Sequence, residues 1–412
     1  MSEILVADPH EIAGLSNAVE EISHDGNNIA IFVGQCCAVD EGNFGGMILA
    51  PLVSPLRVCA DQTRTRMGDI ANQNAVTSGE LNRAAWLYHG RDRRNYEALN
   101  AATVGVTGKP VAVNADRENA GFVRPYPDAA AYPKPEQIRL DPPSAAPPEL
   151  ADIIAETNGA LGDVNDAIKN VTRMAGNEVD ILATCLAPIT TNWNELRRIG
   201  ESYKVAGNAM EASGANLDDA VRRVGPKWGG RAAISFEDWA GKQIRAMKWE
   251  GPVGRVISDV CNEMADKIRD GVRRACRKLC DFVVSFVEFR GAKDVVEQLV
   301  KKIPGIGTAI EILDLARKIW DVVDLVRAIL REIEEVRDRL KEFLEFVTNP
   351  AGRGRQWVEQ KLEPYTSKID AAAKKAILAN DIARIGRVND TLDRPHQGYD
   401  IGSGAQPWES AP

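Results

Sequence analysis

The sequence predicts an all-α protein of elongated helical hairpins, arranged as two units joined by a Pro/Ala-rich linker. Apolar residues recur at alternating spacings of three and four along most of the chain, which is the period of a helix with one buried face. The periodic segments are rich in Ala, Leu, Ile, Glu, Arg and Lys, and aromatic residues make up only 6% of the 412 residues. Breaks that contain glycine or proline separate these segments where a hairpin would reverse.

The first hairpin has clear limits in the sequence. Its first helix should begin after Asp8 as N-cap, with Pro9 at the first helical position and Glu11 placed to complete a capping box. This helix should end near Cys37, before a glycine-rich stretch. A second amphipathic helix should then run from Leu56 to Tyr88, so the two helices predict an antiparallel hairpin.

The rest of the chain continues the helical pattern after a change in composition. Helices are expected from Glu149, from about Ile189 and from Ala232. From Ile312 to Val347 the three-four alternation has no interruption, which favours a packed helical seam. One more helix should precede a Gly/Pro/polar end that starts at Asn389 and is expected to be disordered. The predicted parts are the hairpin at 1–105, the linker at 106–148, a helical bundle at 149–291, a heptad region at 292–348, and a helical then disordered tail at 349–412.

Composition and motifs argue against several classes of function. A net charge of -8 gives no electrostatic reason to expect a nucleic-acid partner. The 7 cysteines include no Cys-x-x-Cys pair and the 4 histidines are scattered, so we expect neither a metal site nor a cofactor. The sequence contains no Walker loop, no Gly-x-Ser-x-Gly, no His-Glu-x-x-His and no Gly-x-Gly-x-x-Gly placed between a strand and a helix. We therefore expect no enzyme activity. A Sec-type signal peptide and a membrane-spanning stretch are also not expected, whereas contact with a membrane surface stays open.

Tyr88 and Asp92 are the candidate functional pair. They lie four residues apart, on one face of a helical turn, where the pattern of the second helix ends. An aromatic ring and a carboxylate one turn apart offer a partner protein an apolar anchor and a fixed charge. Because Tyr132 and Glu136 repeat the spacing inside the proline-rich stretch, the pattern alone is weak, and an ordinary pair at the end of a helix is the alternative.

A turn in the second unit carries a family resemblance. Trp228-Gly-Gly230 stands between two long amphipathic segments and resembles the Trp-x-Gly turn of the WXG superfamily of helical hairpins, which are substrates of type VII (ESX) secretion systems. The helix pattern that follows Glu149 is similar to that of EspA/EspE-type secreted proteins. The resemblance implies that Trp228 and Gly230 are structural turn residues.

The first hairpin resembles the EspC-like branch of these substrates. It begins with Val6-Ala-Asp-Pro9, has Phe44-Gly45 at its turn, and carries Tyr88 and Asp92 after its second helix. The resemblance implies that Tyr88 and Asp92 form the export signal and that Phe44 and Gly45 are structural turn residues.

The resemblance implies a protein that is made in the cytoplasm, exported without a Sec signal and active in the medium or at the cell surface. Its expected partners are the type VII secretion ATPase or a chaperone, a helical co-substrate, and a second copy of the chain along the seam from Ile312 to Val347. Two alternatives remain: a helical effector that perturbs membranes, and a cytoplasmic helical scaffold with an accidental motif.

Cysteines of the first hairpin offer one further candidate site. Cys36, Cys37 and Cys59 fall on opposing arms, so a disulfide could cross the hairpin after export. We expect free buried thiols and keep that bridge as the alternative.

Overall fold

Helices form the regular secondary structure of the part of the chain that the structure describes, which confirms the all-α prediction. The computed structural model describes residues 6–39, 41–44, 48–107, 124–146, 191–288, 309–353, 355–366 and 372–402. In chain order the helices are α1 (Pro9–Phe32), α2 (Glu41–Phe44), α3 (Ala50–Thr107), α4 (Trp193–Val224), α5 (Arg231–Glu288), α6 (Ala309–Thr348), α7 (Arg355–Thr366), α8 (Ala372–Ile385) and α9 (Asn389–Leu392). The predicted helix that begins at Glu149 lies outside the described residues.

Helix α1 begins where its capping residue predicts. The Asp8 carboxylate accepts the amides of His10 and Glu11, at 3.0 and 3.4 Å. The return half of the predicted capping box is not formed, because the Asp8 amide donates to the Lys227 carbonyl at 2.9 Å. The Glu11 carboxylate instead pairs with Arg223, whose Nε lies 3.1 Å from Oε2. Two groups of the predicted capping box, the Asp8 amide and the Glu11 carboxylate, therefore bind the second hairpin.

Helix α3 is longer than predicted. The first helix ends as expected, through a π-helical turn at Val33–Cys37, but α3 continues past Tyr88 and through Asp92 to Thr107. Gly90 lies inside it and costs about 1 kcal/mol relative to Ala. Adding a residue to an existing helix is easier than starting one, so a single glycine does not end it. The candidate pair therefore lies within α3 and not after it.

Two antiparallel hairpins, α1 with α3 and α4 with α5, share one apolar core with part of α6. Helices α4 and α5 approach closely at glycines. A Cβ placed on Gly207 would lie 2.4 Å from the Glu250 carbonyl oxygen, and one on Gly254 would lie 2.3 Å from the Tyr203 carbonyl oxygen. One heptad to either side, α4 carries two more glycines that face α5, Gly200 and Gly214.

A buried ion pair connects three long helices. The Arg66 guanidinium of α3 binds both carboxylate oxygens of Glu250 on α5, with Nη2 at 2.9 Å from Oε2 and Nε in closer contact with Oε1. Its Nη1 donates to the Val347 carbonyl of α6 at 3.3 Å, and its Cζ lies 5.2 Å from the centroid of the Trp249 ring. Both charged side chains are buried. Because Arg66 belongs to the first hairpin and Glu250 to the second, their bonds fix the position of one hairpin along the other.

The seam predicted in α6 is filled by the chain's own helices over its second half. From Val326 to Val347 the seam residues are buried in the common core, while the side chains of residues 309–320 lie outside the described part. The seam from Val326 onward is therefore intramolecular.

The linker is extended over residues 124–146, and it lies on the two hairpins. The Ala130 amide donates to the His10 carbonyl at 2.9 Å. On the second hairpin, the Asn216 side chain both accepts from the Glu136 amide and donates to its carbonyl, each at 2.9 Å. The linker thus adds contacts between the two units.

The end of the chain differs from the prediction. We expected disorder from Asn389 onward, but residues 389–402 pack against the body of the protein, and the buried side chains include Tyr399 and Ile401. Residues 403–412 lie outside the described part. Composition gave the wrong prediction because this segment contains few apolar residues. Two apolar side chains are enough to hold it in place, because they pack into a groove that the helices already form.

Candidate functional site

The turn around Trp228 is the place where the predicted site residues meet. A 3-10 turn at Gly225–Lys227 ends α4, and Trp228 follows with an extended backbone. Gly230 has φ 91°, in the left-handed region that residues with a Cβ rarely occupy. The chain needs this glycine to reverse into α5. The structure thus places Trp228 and Gly230 in the turn between the two helices of the second hairpin.

The N-terminal segment pairs with this turn. The Asp8 amide donates to the Lys227 carbonyl at 2.9 Å, and the Gly229 amide donates to the Val6 carbonyl at 2.7 Å. An antiparallel bridge between Ala7 and the turn lies between these two bonds. The Val-Ala-Asp-Pro start of the chain is therefore fixed on the Trp-Gly-Gly turn.

Tyr88 lies directly under the same turn. The Trp228 indole Nε1 donates to the Tyr88 hydroxyl oxygen at 3.2 Å. Their ring centroids are 6.5 Å apart and the rings are nearly perpendicular. Only 3% of Tyr88 and 2% of Trp228 are exposed. The bond supplies the buried indole N–H with an acceptor inside an apolar environment.

More aromatic rings surround this pair. The Phe236 ring of α5 lies 5.4 Å from Trp228, and Tyr399 contacts both rings, at 5.4 Å from Phe236 and 6.2 Å from Trp228. Burial raises the pKa of Tyr399 far above its usual range, and the nearby Tyr88 and Glu80 raise it further. Tyr399 is therefore a neutral packing residue. Sequence reasoning missed it because it lies in a segment that composition assigns to disorder.

The residues beside Tyr88 on α3 hold the linker. The Trp86 indole Nε1 donates to the Arg124 carbonyl at 3.0 Å, and His89 Nδ1 lies 3.0 Å from the Tyr126 hydroxyl. The α3 segment around Tyr88 thus contacts the turn, the linker and the end of the chain.

Other predicted site residues are placed less centrally. Asp92 lies in α3, and its side chain lies outside the described part. Phe44 ends α2 and is buried, and its carbonyl accepts both the Asn192 amide and the Thr191 hydroxyl at 2.7 Å. Phe44 therefore fixes the start of α4. Gly45 lies outside the described residues.

The cysteines of the first hairpin are free thiols. Cys37 and Cys59 are buried and Cys36 is partly exposed. Burial raises the pKa of the Cys37 thiol well above its usual range, and the neighbouring Cys59 raises it further. Cys261 of α5 also influences this thiol, a neighbour that the sequence did not predict.

Within the described residues, no group of three or more His, Cys, Asp or Glu side chains could hold a metal ion. Among the helices in that part of the chain, none is long and apolar enough to cross a membrane. The chemistry at the Trp228 turn is that of aromatic packing and hydrogen bonding.

Comparisons with known protein families, with curated proteins and with solved structures find no match to this chain.

Proposed function

We propose that this protein is a substrate of a type VII (ESX) secretion system and that it acts outside the cytoplasm through protein contacts. The observation that supports the proposal is the hydrogen bond between Trp228 and Tyr88. Three sequence features resemble this class of substrate, and they come from distant parts of the chain. The N-terminal start, the tyrosine of the Tyr-x-x-x-Asp element and the Trp-Gly-Gly turn meet at one site.

In the proposed mechanism, α3 is the element that the secretion ATPase or its chaperone binds. Tyr88 anchors α3 to the turn, and Asp92 lies one helical turn further along. Val6 and Ile234, which flank the turn, are 46% and 65% exposed. These two side chains, one from the N-terminal segment and one from α5, are the apolar contacts that we propose for the partner. A partner that binds here would contact both hairpins at once.

Export of the tagged chain tests the proposal. It should be expressed in hosts with and without an active type VII apparatus, and culture filtrate should be compared with cell pellet. Asp92→Asn should reduce release without unfolding the protein, because it removes a charge and keeps the size of the side chain. Glu136→Gln, in the second match to the motif, is the control and should leave release unchanged.

Tyr88→Ala should also stop release, but it removes a buried ring and can unfold the chain. Tyr88→Phe separates the two effects, because it keeps the ring and removes the acceptor for Trp228. Circular dichroism of each purified variant establishes that it is folded. Release that ignores both the apparatus and Asp92 would refute the proposal.

A helical scaffold that stays inside the cell is the second candidate. The burial of Tyr88 favours it, because a packing residue needs no export role. The same experiment separates the two candidates, since a scaffold remains in the pellet of a host that exports its own type VII substrates.

A further inference from the structure

The last described segment of the chain, residues 393–402, lies in a groove between α3 and α5, and we call it the C-terminal strap. On the α3 side, the Gln73 side chain donates to the His396 carbonyl and the Tyr399 amide donates to the Thr77 hydroxyl, at 3.0 and 2.9 Å. The Ile401 amide donates to Glu80 at 3.4 Å. Side chains of α3 thus bind the backbone of the strap at regular intervals.

The α5 side of the groove binds the same short segment. The Trp239 indole Nε1 donates to the Gln397 carbonyl at 3.0 Å. The Tyr399 hydroxyl donates to the Ala232 carbonyl at 3.2 Å. The strap is therefore held from both hairpins, mainly by side chains that bind its backbone.

Two side chains anchor the strap in apolar surroundings. Tyr399 packs on Trp228 and Phe236, and Ile401 is fully buried. Between the anchors and the α3 surface the fit is close, because a Cβ on Gly398 would lie 2.6 Å from Val76 Cγ1. The groove consequently accepts an extended segment that has a glycine before the aromatic anchor.

The position of the strap matters for the export site. Tyr399 contacts Trp228 from the strap side, while Tyr88 contacts Trp228 from α3. A short extended segment with two anchors can detach without unfolding the helices on which it lies, because few contacts break together. Tyr88 is also close enough to Tyr399 to raise its pKa, so detachment would remove a neighbour of both the Trp228 and the Tyr88 rings.

We propose that the C-terminal strap is a displaceable cover over the Tyr88 and Trp228 site, and that it keeps the export element closed until a partner displaces it. This inference rests on the proposed export function. It explains how a buried tyrosine can serve as a docking residue, since the strap must leave before a partner reaches Tyr88.

Chemical access to Tyr88 tests the cover directly. A chain that ends at Pro395 lacks the anchors of the strap, and a chain that ends at Gly402 keeps them and is the control. Nitration by tetranitromethane, followed by peptide mapping, measures the rate at Tyr88 in each. We expect at least a tenfold faster rate in the shorter chain. Equal rates would overturn the inference.

A matched pair of substitutions in the full chain covers the case in which the shorter chain does not fold. Ile401→Ala removes a buried anchor of the strap and should speed nitration of Tyr88. Ile377→Ala makes the same change at a side chain of α8 that is 60% exposed, and it should have no effect. Equal rates for both variants would also overturn the inference.

A synthetic peptide of residues 394–402, added to the chain that ends at Pro395, should bind and restore protection of Tyr88. The same peptide with Gly398→Val should not, because its side chain would collide with Val76. Protection by both peptides, or by neither, contradicts the proposed fit.

Export then distinguishes the two proposals. If Asp92→Asn blocks release and Ile401→Ala accelerates it, both proposals hold. If Asp92→Asn blocks release and Ile401→Ala leaves the rate unchanged although it speeds nitration, the strap covers the site without controlling export, so this inference fails alone. If release ignores both the apparatus and Asp92, the proposed function fails, and the regulatory role of the strap fails with it.

Discussion

Replacement of Glu250 by alanine should destabilise the whole protein, because it leaves the Arg66 guanidinium buried without its counter-ion. The side chains of Arg66 and Glu250 are only 8% and 1% exposed, so water does not replace the lost carboxylate. Removal of one partner from a buried ion pair costs about 3–5 kcal/mol. Arg66 keeps a bond to the Val347 carbonyl and its place beside the Trp249 ring, so we expect a loss of about 3 kcal/mol.

Comparison with a double variant isolates the ion pair. Arg66→Met with Glu250→Met removes both charges and keeps much of the volume, so it should recover most of the lost stability, because a buried pair and an apolar replacement are often nearly equal in free energy. Asp61→Ala is the control on the same helix, since its pair with Arg64 is exposed on both sides. It should change the free energy of unfolding by less than about 0.5 kcal/mol.

Urea unfolding, followed by circular dichroism and by tryptophan fluorescence, measures these free energies. Both probes should give one coincident transition, since the pair connects both hairpins and α6. A loss below about 1 kcal/mol for Glu250→Ala, which is the scale of an exposed pair, would refute the reasoning. Equal losses for the single and the double variant would refute it as well, because the unpaired charge would then not be the cause.

Three more predictions concern packing, thiols and pH. Gly207→Ala should lower stability by about 1–3 kcal/mol, because the added methyl group overpacks the contact between α4 and α5. Gly79→Ala should raise stability by about 0.5–1 kcal/mol, because Gly79 is an exposed helical residue and a Cβ there would have no atom within 4 Å. Thermal unfolding of the two variants measures both changes. Maleimide with peptide mapping should label Cys36 before Cys37, whose thiol pKa burial raises, and equal labelling rates would contradict the buried position. Burial also raises the pKa of Tyr399, so the folded chain holds that proton longer than the unfolded chain. The contribution of Tyr399 to stability should therefore be constant below about pH 10 and fall above it. Urea unfolding at each pH should show a less steep fall above about pH 10 in Tyr399→Phe than in the unaltered protein.

The local structure of this protein follows from its sequence to a large extent. The N-cap at Asp8 and the end of the first helix near Cys37 are set by residues within a few turns of one another. The glycine at Gly230 marks the reversal in the same way, because its φ of 91° is a property of one residue. The composition of the linker predicts that it is extended, although it cannot predict the helices to which the linker binds.

The candidate site was only half predicted. Tyr88 and Trp228 were each chosen from patterns in separate parts of the chain, and nothing in those patterns placed one ring against the other. Tyr399 was missed, because its segment has the composition of a disordered end. The extent of α3 was underestimated as well, because a local count of helix formers gives too much weight to Gly90.

The sequence by itself determined that the protein is helical, where its hairpins reverse and which faces are apolar, since these properties depend on near neighbours and on the helical period. Only the tertiary structure decided that both hairpins share one core, that Arg66 meets Glu250, and that Tyr399 packs on Trp228. Those contacts join residues far apart in the chain, and their free energy depends on how surfaces fit in three dimensions. An apolar stripe in the sequence predicts that one face of a helix will be buried. Tertiary packing determines which other helix that face contacts.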